Sequence, residues 1–154
     1  MHLTNYITED LVFVVQGPAD KHALLQRFLN CVKQHFLGVK KKVILERLKE
    51  REERVSSVIG HGVAITHTVV EGLESTLCVL AQIPEGVDFK AIDEEPVNVA
   101  FMILSPPEKL GEHIKLLSRI ARLVSNVSFI ARISKANNAR EVFALIIEED
   151  ERHA

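Results

Sequence analysis

The chain has little of what would tie it to a specialised environment. Cys31 and Cys78 are its only two cysteines, far apart and without CxxC spacing. That excludes a disulfide framework, and both are expected as buried free thiols of a reducing compartment. No apolar run reaches the roughly 18 residues of a membrane-crossing helix. Met1-His2-Leu3-Thr4-Asn5 has neither the basic nor the apolar stretch of a secretory signal. Charge of one sign is also missing: 19 Lys and Arg face 21 Asp and Glu, for a net charge of −2. Nothing in that balance favours nucleic acid or an anionic membrane. There is no internal repeat, linker or low-complexity segment. A cytoplasmic, free-standing single domain spanning residues 1–154 is expected, with no nucleic-acid partner and no membrane insertion.

What is present fits that expectation. With 154 residues, 47% hydrophobic and 26% charged, the chain is long enough to bury a sizeable core. Leu11 to Val15 is a β-rich run ending at Gly17-Pro18. Asp20 follows as an N-cap, and Leu25, Phe28, Leu29, Val32 and Phe36 recur at helical spacing over 20–37, closed by Gly38. Lys40-Lys41-Lys42 is a solvated start to the next helix or a contact for an acidic partner. That helix, about 40–53, has Val43, Ile44 and Leu48 on its apolar side and Arg51 near its C-terminal end. Ser75 to Ile83 reads as a strand, Pro84-Glu85-Gly86 as a turn, and Val97 to Leu104 as a central strand buried on both faces.

Ser105-Pro106-Pro107-Glu108 has capping-box spacing; a helix begins there or nearer Gly111. Leu110, Ile114, Leu117, Ala121 and Val124 give its stripe. Phe129, Ile130 and Ile133 mark a short helix, and Val142, Phe143, Ile146 and Ile147 a last one. The charged tail from Glu148 is expected to fray. Alternating strands and helices argue an α/β fold with a largely covered sheet.

One stretch draws the chemistry: Gly60-His61-Gly62-Val63-Ala64-Ile65-Thr66-His67. Val63 and Ile65 alternate with smaller residues as on a strand, and His67 falls where that strand runs out. Strand ends of α/β sheets collect ligands. On residue chemistry alone, a lone histidine after a strand is more often an ordinary core or surface residue. His113 would be an exposed helix residue, and Arg51 part of a charged helix face. A zinc site of His61, His67 and His113 has no HExxH or comparable spacing behind it.

This stretch resembles the active-site motif of the enzyme IIA domains of the phosphotransferase system, of the mannitol, fructose and nitrogen-regulatory type. That family has an Arg-Glu pair, a Ser-Thr-Gly-Ile-Gly segment and Gly-Ile/Val-Ala-Ile-Pro-His. The matching runs here are Arg51-Glu52, Ser56-Ser57-Val58-Ile59-Gly60 and Gly62-Val63-Ala64-Ile65-Thr66-His67. Asp88-Phe89-Lys90-Ala91-Ile92-Asp93, Pro96-Val97 and His113-Ile114-Lys115-Leu116-Leu117-Ser118 resemble its downstream segments. Ala91-Ile92-Asp93 and His113 to Arg122 are closer to the nitrogen-regulatory members.

The resemblance implies a mixed central sheet of about five strands flanked by helices on both faces, a three-layer αβα arrangement. It implies that His67 accepts a phosphoryl group from the phosphohistidine of an HPr-type protein and passes it to a IIB-type acceptor or uses it as a regulatory signal. His113 would donate a hydrogen bond to the phosphoryl group and Arg51 would bind its oxygens. Ser57, where the family has threonine, keeps a hydroxyl; His61 is a rim residue. No metal or cofactor is implied. Thr66 stands where the family has proline: it adds a hydroxyl donor, or it marks a site drifted toward a regulatory binding module.

Overall fold

The computed structural model describes residues 1–36, 38–90 and 95–153. Leu37 and Ala154, and the Ala91-Ile92-Asp93 run quoted for the resemblance, lie outside the described residues. Among those residues are five strands, β1 (Val12–Val14), β2 (Val58–Gly60), β3 (Val63–Val69), β4 (Leu77–Val87) and β5 (Val97–Ser105). Five α-helices accompany them: α1 (Lys21–His35), α2 (Lys41–Arg54), α3 (Leu110–Val124), α4 (Val127–Lys135) and α5 (Ala139–Arg152). The strands form one mixed sheet in the order β1-β4-β5-β3-β2. β1 runs parallel to β4 and β3 parallel to β5, while β4–β5 and β2–β3 are antiparallel. Helices α1 and α2 pack on each other and on the sheet, and α3, α4 and α5 do the same as a second group. This is the three-layer α/β arrangement expected from the sequence. No helix among the described residues is long and apolar enough to cross a membrane.

Local chemistry explains most of the elements. Asp20 caps α1 by accepting the backbone N–H of Ala23 at 2.7 Å. Val97 and Val99 to Leu104 are buried on both faces of β5, the centre of the sheet. The Gly60-His61-Gly62 segment is a tight hairpin turn between β2 and β3. Gly60 pairs with Val63, and His61 and Gly62 between them have φ of +54° and +78°. A two-residue hairpin turn of the primed type needs positive φ at both positions, which explains the glycine.

Several expectations are corrected. Pro84-Glu85-Gly86 does not end β4; the strand continues to Val87 through a wide irregularity between the pairs Gln82–Val99 and Val87–Val97. Asn98 Nδ2 donates to the Ile83 carbonyl at 3.0 Å and satisfies the backbone where the ladder opens. Of the two starts left open for the next helix, the one near Gly111 holds: Ser105 belongs to β5 and forms no capping box, and α3 starts at Leu110 after a short 3-10 turn. The inward stripe of α3 is His113, Leu116, Ile120, Leu123 and Val124, one residue away from the stripe read in sequence. Leu110 and Ile114 are about half exposed.

The C-terminal tail does not fray as expected either. Helix α5 continues to Arg152, with Glu149 and Asp150 buried. Asp150 accepts the backbone N–H groups of Leu3 and Thr4, the Thr4 hydroxyl and the Nε and Nη2 of Arg119. Of the two free thiols, Cys78 is buried and Cys31 only partly so.

Candidate functional site

Because β3 and β5 are parallel, their C-terminal ends reach the same edge of the sheet. His67 stands on β3 two residues before the strand ends, opposite Ile103, and Ser105 closes β5 opposite Val69. His113 lies in the first turns of α3 and points inward, buried to 3% exposure. The expectation of an exposed His113 fails because Ser105 holds its ring: His113 Nδ1 is 2.7 Å from Ser105 Oγ. Its other nitrogen, Nε2, is 2.9 Å from His67 Nδ1. The two rings sit with centroids 5.0 Å apart at 54°. Behind them the Thr76 hydroxyl donates to Ser105 Oγ at 3.0 Å.

In front of the rings is a cleft of about 360 Å³ lined by Arg51, Glu52, Ser57, Thr66 and His67, with Leu117, Ser118 and Ala121 from α3. Arg51 comes from the last turn of α2. It is exposed and makes no ion pair among the described residues. Thr66 is buried but lines the cleft, and its hydroxyl takes no partner among the described residues. His67 is held well below the usual imidazole range, to about 4, by burial first and then by the positive charge of Arg51 and the neighbouring His113. Burial and Arg51 also lower His113. At neutral pH both rings are therefore uncharged, and His67 keeps a lone pair.

Ser57 is not free. Its N–H and its hydroxyl both go to Glu52, at 3.1 Å and 2.6 Å to Oε2. The carboxylate is in turn paired with Lys21 at 3.3 Å. Glu52 was visible in sequence only as half of the Arg-Glu pair. In sequence Ser105 has only capping-box spacing and Thr76 only a place in the strand from Ser75 to Ile83, and neither signals this site.

His61 is not brought into this group. It is exposed in the β2–β3 turn, beyond the far end of β3, whose start at Val63 is itself about 13 Å along the strand from His67. Among the described residues no three His, Cys, Asp or Glu side chains converge as a metal would require.

A mixed five-stranded sheet with a neutral histidine pair at a parallel strand end, facing an unpaired guanidinium, defines a class of small α/β domain suited to holding an anion against a nucleophile. The match to known proteins is specific. Residues 5–149 fit the family model described as phosphoenolpyruvate-dependent sugar phosphotransferase system, EIIA 2, and the chain belongs to that family. A nitrogen regulatory protein of Bradyrhizobium diazoefficiens is 25% identical over 146 residues, covering 95% of each chain. The mannitol-specific phosphotransferase enzyme IIA component of Staphylococcus aureus is 38% identical over 109 residues, 69% of this chain and 72% of that one. The crystal structure of nitrogen regulatory protein IIA-Ntr from Neisseria meningitidis superposes with a TM-score of 0.81 at 26% identity, covering 92% of this chain and 97% of that chain.

Proposed function

We propose that this protein is a phosphocarrier in which Nε2 of His67 accepts a phosphoryl group. The donor is the phosphohistidine of an HPr-type protein; the acceptor is a IIB-type protein, or the phosphorylated form itself acts as a nitrogen or carbon regulatory signal. The observation that carries this reading is the open side of the histidine pair. Nδ1 of His67 is engaged by His113, so Nε2 is the ring nitrogen left for chemistry in a cleft that Arg51 also lines.

The chemistry follows from that arrangement. A neutral imidazole is a competent nucleophile, and its N–P bond is labile enough to be passed on. The Arg51 guanidinium meets the charge on the transferring group without first losing a carboxylate partner, and Thr66 offers a hydroxyl. With His113 bonded to the far nitrogen of the acceptor ring, its role is to brace His67; donating directly to the phosphoryl group would require it to leave that bond. Exposed Val55 and Ile59 on one side of the cleft, and Leu110 and Ile114 on α3, leave apolar surface near the site for a protein partner.

A second reading has its own observation. Glu52 takes both hydrogens of Ser57 and places a carboxylate on the cleft, as a docking module that no longer turns over phosphate would tolerate. Intact mass after mixing with a phosphorylated HPr-type donor separates the two. Gain of one acid-labile phosphoryl group, absent in His67→Ala, is expected for the carrier. No gain with several donors overturns it in favour of docking, which a pull-down of target proteins would then pursue.

A further inference from the structure

We propose that Ser105, held in place by Thr76, is a positioning residue for phosphoryl transfer: it accepts Nδ1–H of His113, so that Nε2 of His113 accepts Nδ1–H of His67 and the lone pair of His67 is left on Nε2. This rests on the carrier reading of His67 and assigns the groups that set the protonation of its ring.

The geometry is a single file of contacts running inward from the cleft. His67 Nδ1 to His113 Nε2 is 2.9 Å, His113 Nδ1 to Ser105 Oγ is 2.7 Å, and Thr76 Oγ1 to Ser105 Oγ is 3.0 Å. Ser105 is fully buried and Thr76 nearly so. Water therefore does not compete for these atoms, and each nitrogen's proton is decided by its neighbour in the file. β5 delivers Ser105 as its last residue and α3 delivers His113 eight residues later. The 3-10 turn through the two prolines fixes the distance between them.

Ser105 Oγ accepts from Thr76, which leaves one lone pair and one hydrogen that could face His113. The lone pair is the partner that makes chemistry possible. If Ser105 instead donated to His113 Nδ1, His113 would donate from Nε2 to His67, and the remaining proton of His67 would sit on Nε2. A protonated Nε2 has no electron pair for phosphorus. It would also place a proton toward the cleft that holds the Arg51 cation, which the field of that cation opposes.

The step balances without any further reactant. The Nε2 lone pair of His67 forms the new N–P bond. The donor's N–P bond breaks, and its electron pair returns to the donor ring. The positive charge that develops on the His67 ring stays at Nδ1–H, shared with Nε2 of His113, whose own Nδ1–H rests on Ser105. No proton has to leave, so the reverse transfer is equally open.

The test uses the full chain. Long-range 1H–15N NMR of the histidine rings at neutral pH is expected to show Nδ1–H tautomers for both His67 and His113. In Ser105→Ala, His113 should lose its fixed tautomer, and phosphoryl acceptance at saturating donor should slow by roughly tenfold to a hundredfold with donor affinity little changed. Thr76→Val should show the same changes to a lesser degree, and Thr76→Ser should match wild type; both keep Ser105 in place should Ser105→Ala fold poorly. Nε2–H on His67 in wild type, or wild-type tautomers and rate in a folded Ser105→Ala or Thr76→Val, would overturn the relay. Wild type that shows both Nδ1–H tautomers yet takes no phosphoryl group would leave the relay standing and sink the carrier reading instead.

Discussion

Helix α3 carries two buried polar clusters that are built on opposite plans. At its N-terminal end His113 joins His67, Ser105 and Thr76. Less than two turns further on, Arg119 joins Asp150 and the chain's N-terminus. The Arg119 cluster is charged and closed: the carboxylate of Asp150 accepts two backbone N–H groups, a hydroxyl and a two-toothed guanidinium, while Arg119 also caps the carbonyls of Asp150 and His153. The histidine cluster is neutral and open, with one nitrogen of His67, the Thr66 hydroxyl and the Arg51 cation without partners among the described residues. A closed network anchors termini; an open one is a place where something else completes the bonding.

Breaking the closed cluster should have the largest effect on stability. Asp150→Ala leaves Arg119 buried without its counter-charge and strands the N–H groups of Leu3 and Thr4, at an expected cost of about 3–5 kcal/mol. His67→Ala, by contrast, opens a half-exposed site and should cost about 1 kcal/mol or less. Urea unfolding of the two variants measures the difference directly. An equal loss in both would mean that the histidine cluster also bears structure.

The two clusters should also separate on the pH axis. His67 has its folded value near 4 against an ordinary 6.5, so the unfolded chain binds its proton first as pH falls. Stability from this group is complete above about pH 6.5 and is lost between there and pH 4; for a half-buried ring the loss is about 1–2 kcal/mol after allowance for solvent. For Asp150 burial alone would raise the carboxyl, but hydrogen bonds from Thr4, Leu3 and Arg119 outweigh it and hold it below its ordinary 3.8. Its contribution is present above that value and disappears only as pH falls further. Urea midpoints of wild type and His67→Gln from pH 7 to pH 4 are expected to converge as pH falls. A gap between them that does not narrow would show that His67 is not held uncharged.

The same contrast explains what could be read from residues alone. The apolar run of β5, the Asp20 cap and the alternation of strands with helices were legible, because each depends on neighbours in sequence. Arg51, His67 and His113 were legible through the motif they share with the family, and the structure brings all three to one edge of the sheet. What failed depended on distant partners. Asp150 reads as one more charge in an acidic tail until Arg119 and the N-terminus surround it. β4 runs through Pro84-Glu85-Gly86 because Asn98 from β5 satisfies the opened ladder. The stripe of α3 was misplaced because Leu110, Ile114 and Leu117 are as apolar as the residues that do face inward. The burial of Leu116, Ile120 and Leu123 alongside His113 shows which stripe is the core.

Arg51 and Ser57 sharpen the comparison at the smallest scale, within the cleft itself. Arg51 matches the family motif and Ser57 keeps the hydroxyl of the family's threonine, yet the structure treats them differently. Arg51 is unpaired, whereas Ser57 has given both hydrogens to Glu52, whose charge is balanced by Lys21. Arg51→Ala should therefore slow phosphoryl acceptance by about a hundredfold, the usual cost of one preorganised charge-stabilising donor. Ser57→Ala should slow it by no more than about threefold, because a hydroxyl already bonded to a carboxylate has nothing further to donate. Single-turnover transfer from a phosphorylated HPr-type donor compares the two on one scale. If Ser57→Ala proved as damaging as Arg51→Ala, the Ser57–Glu52 contact would have to open during transfer. Glu52 would then be a latch on the phosphate cleft and not a fixed part of its wall.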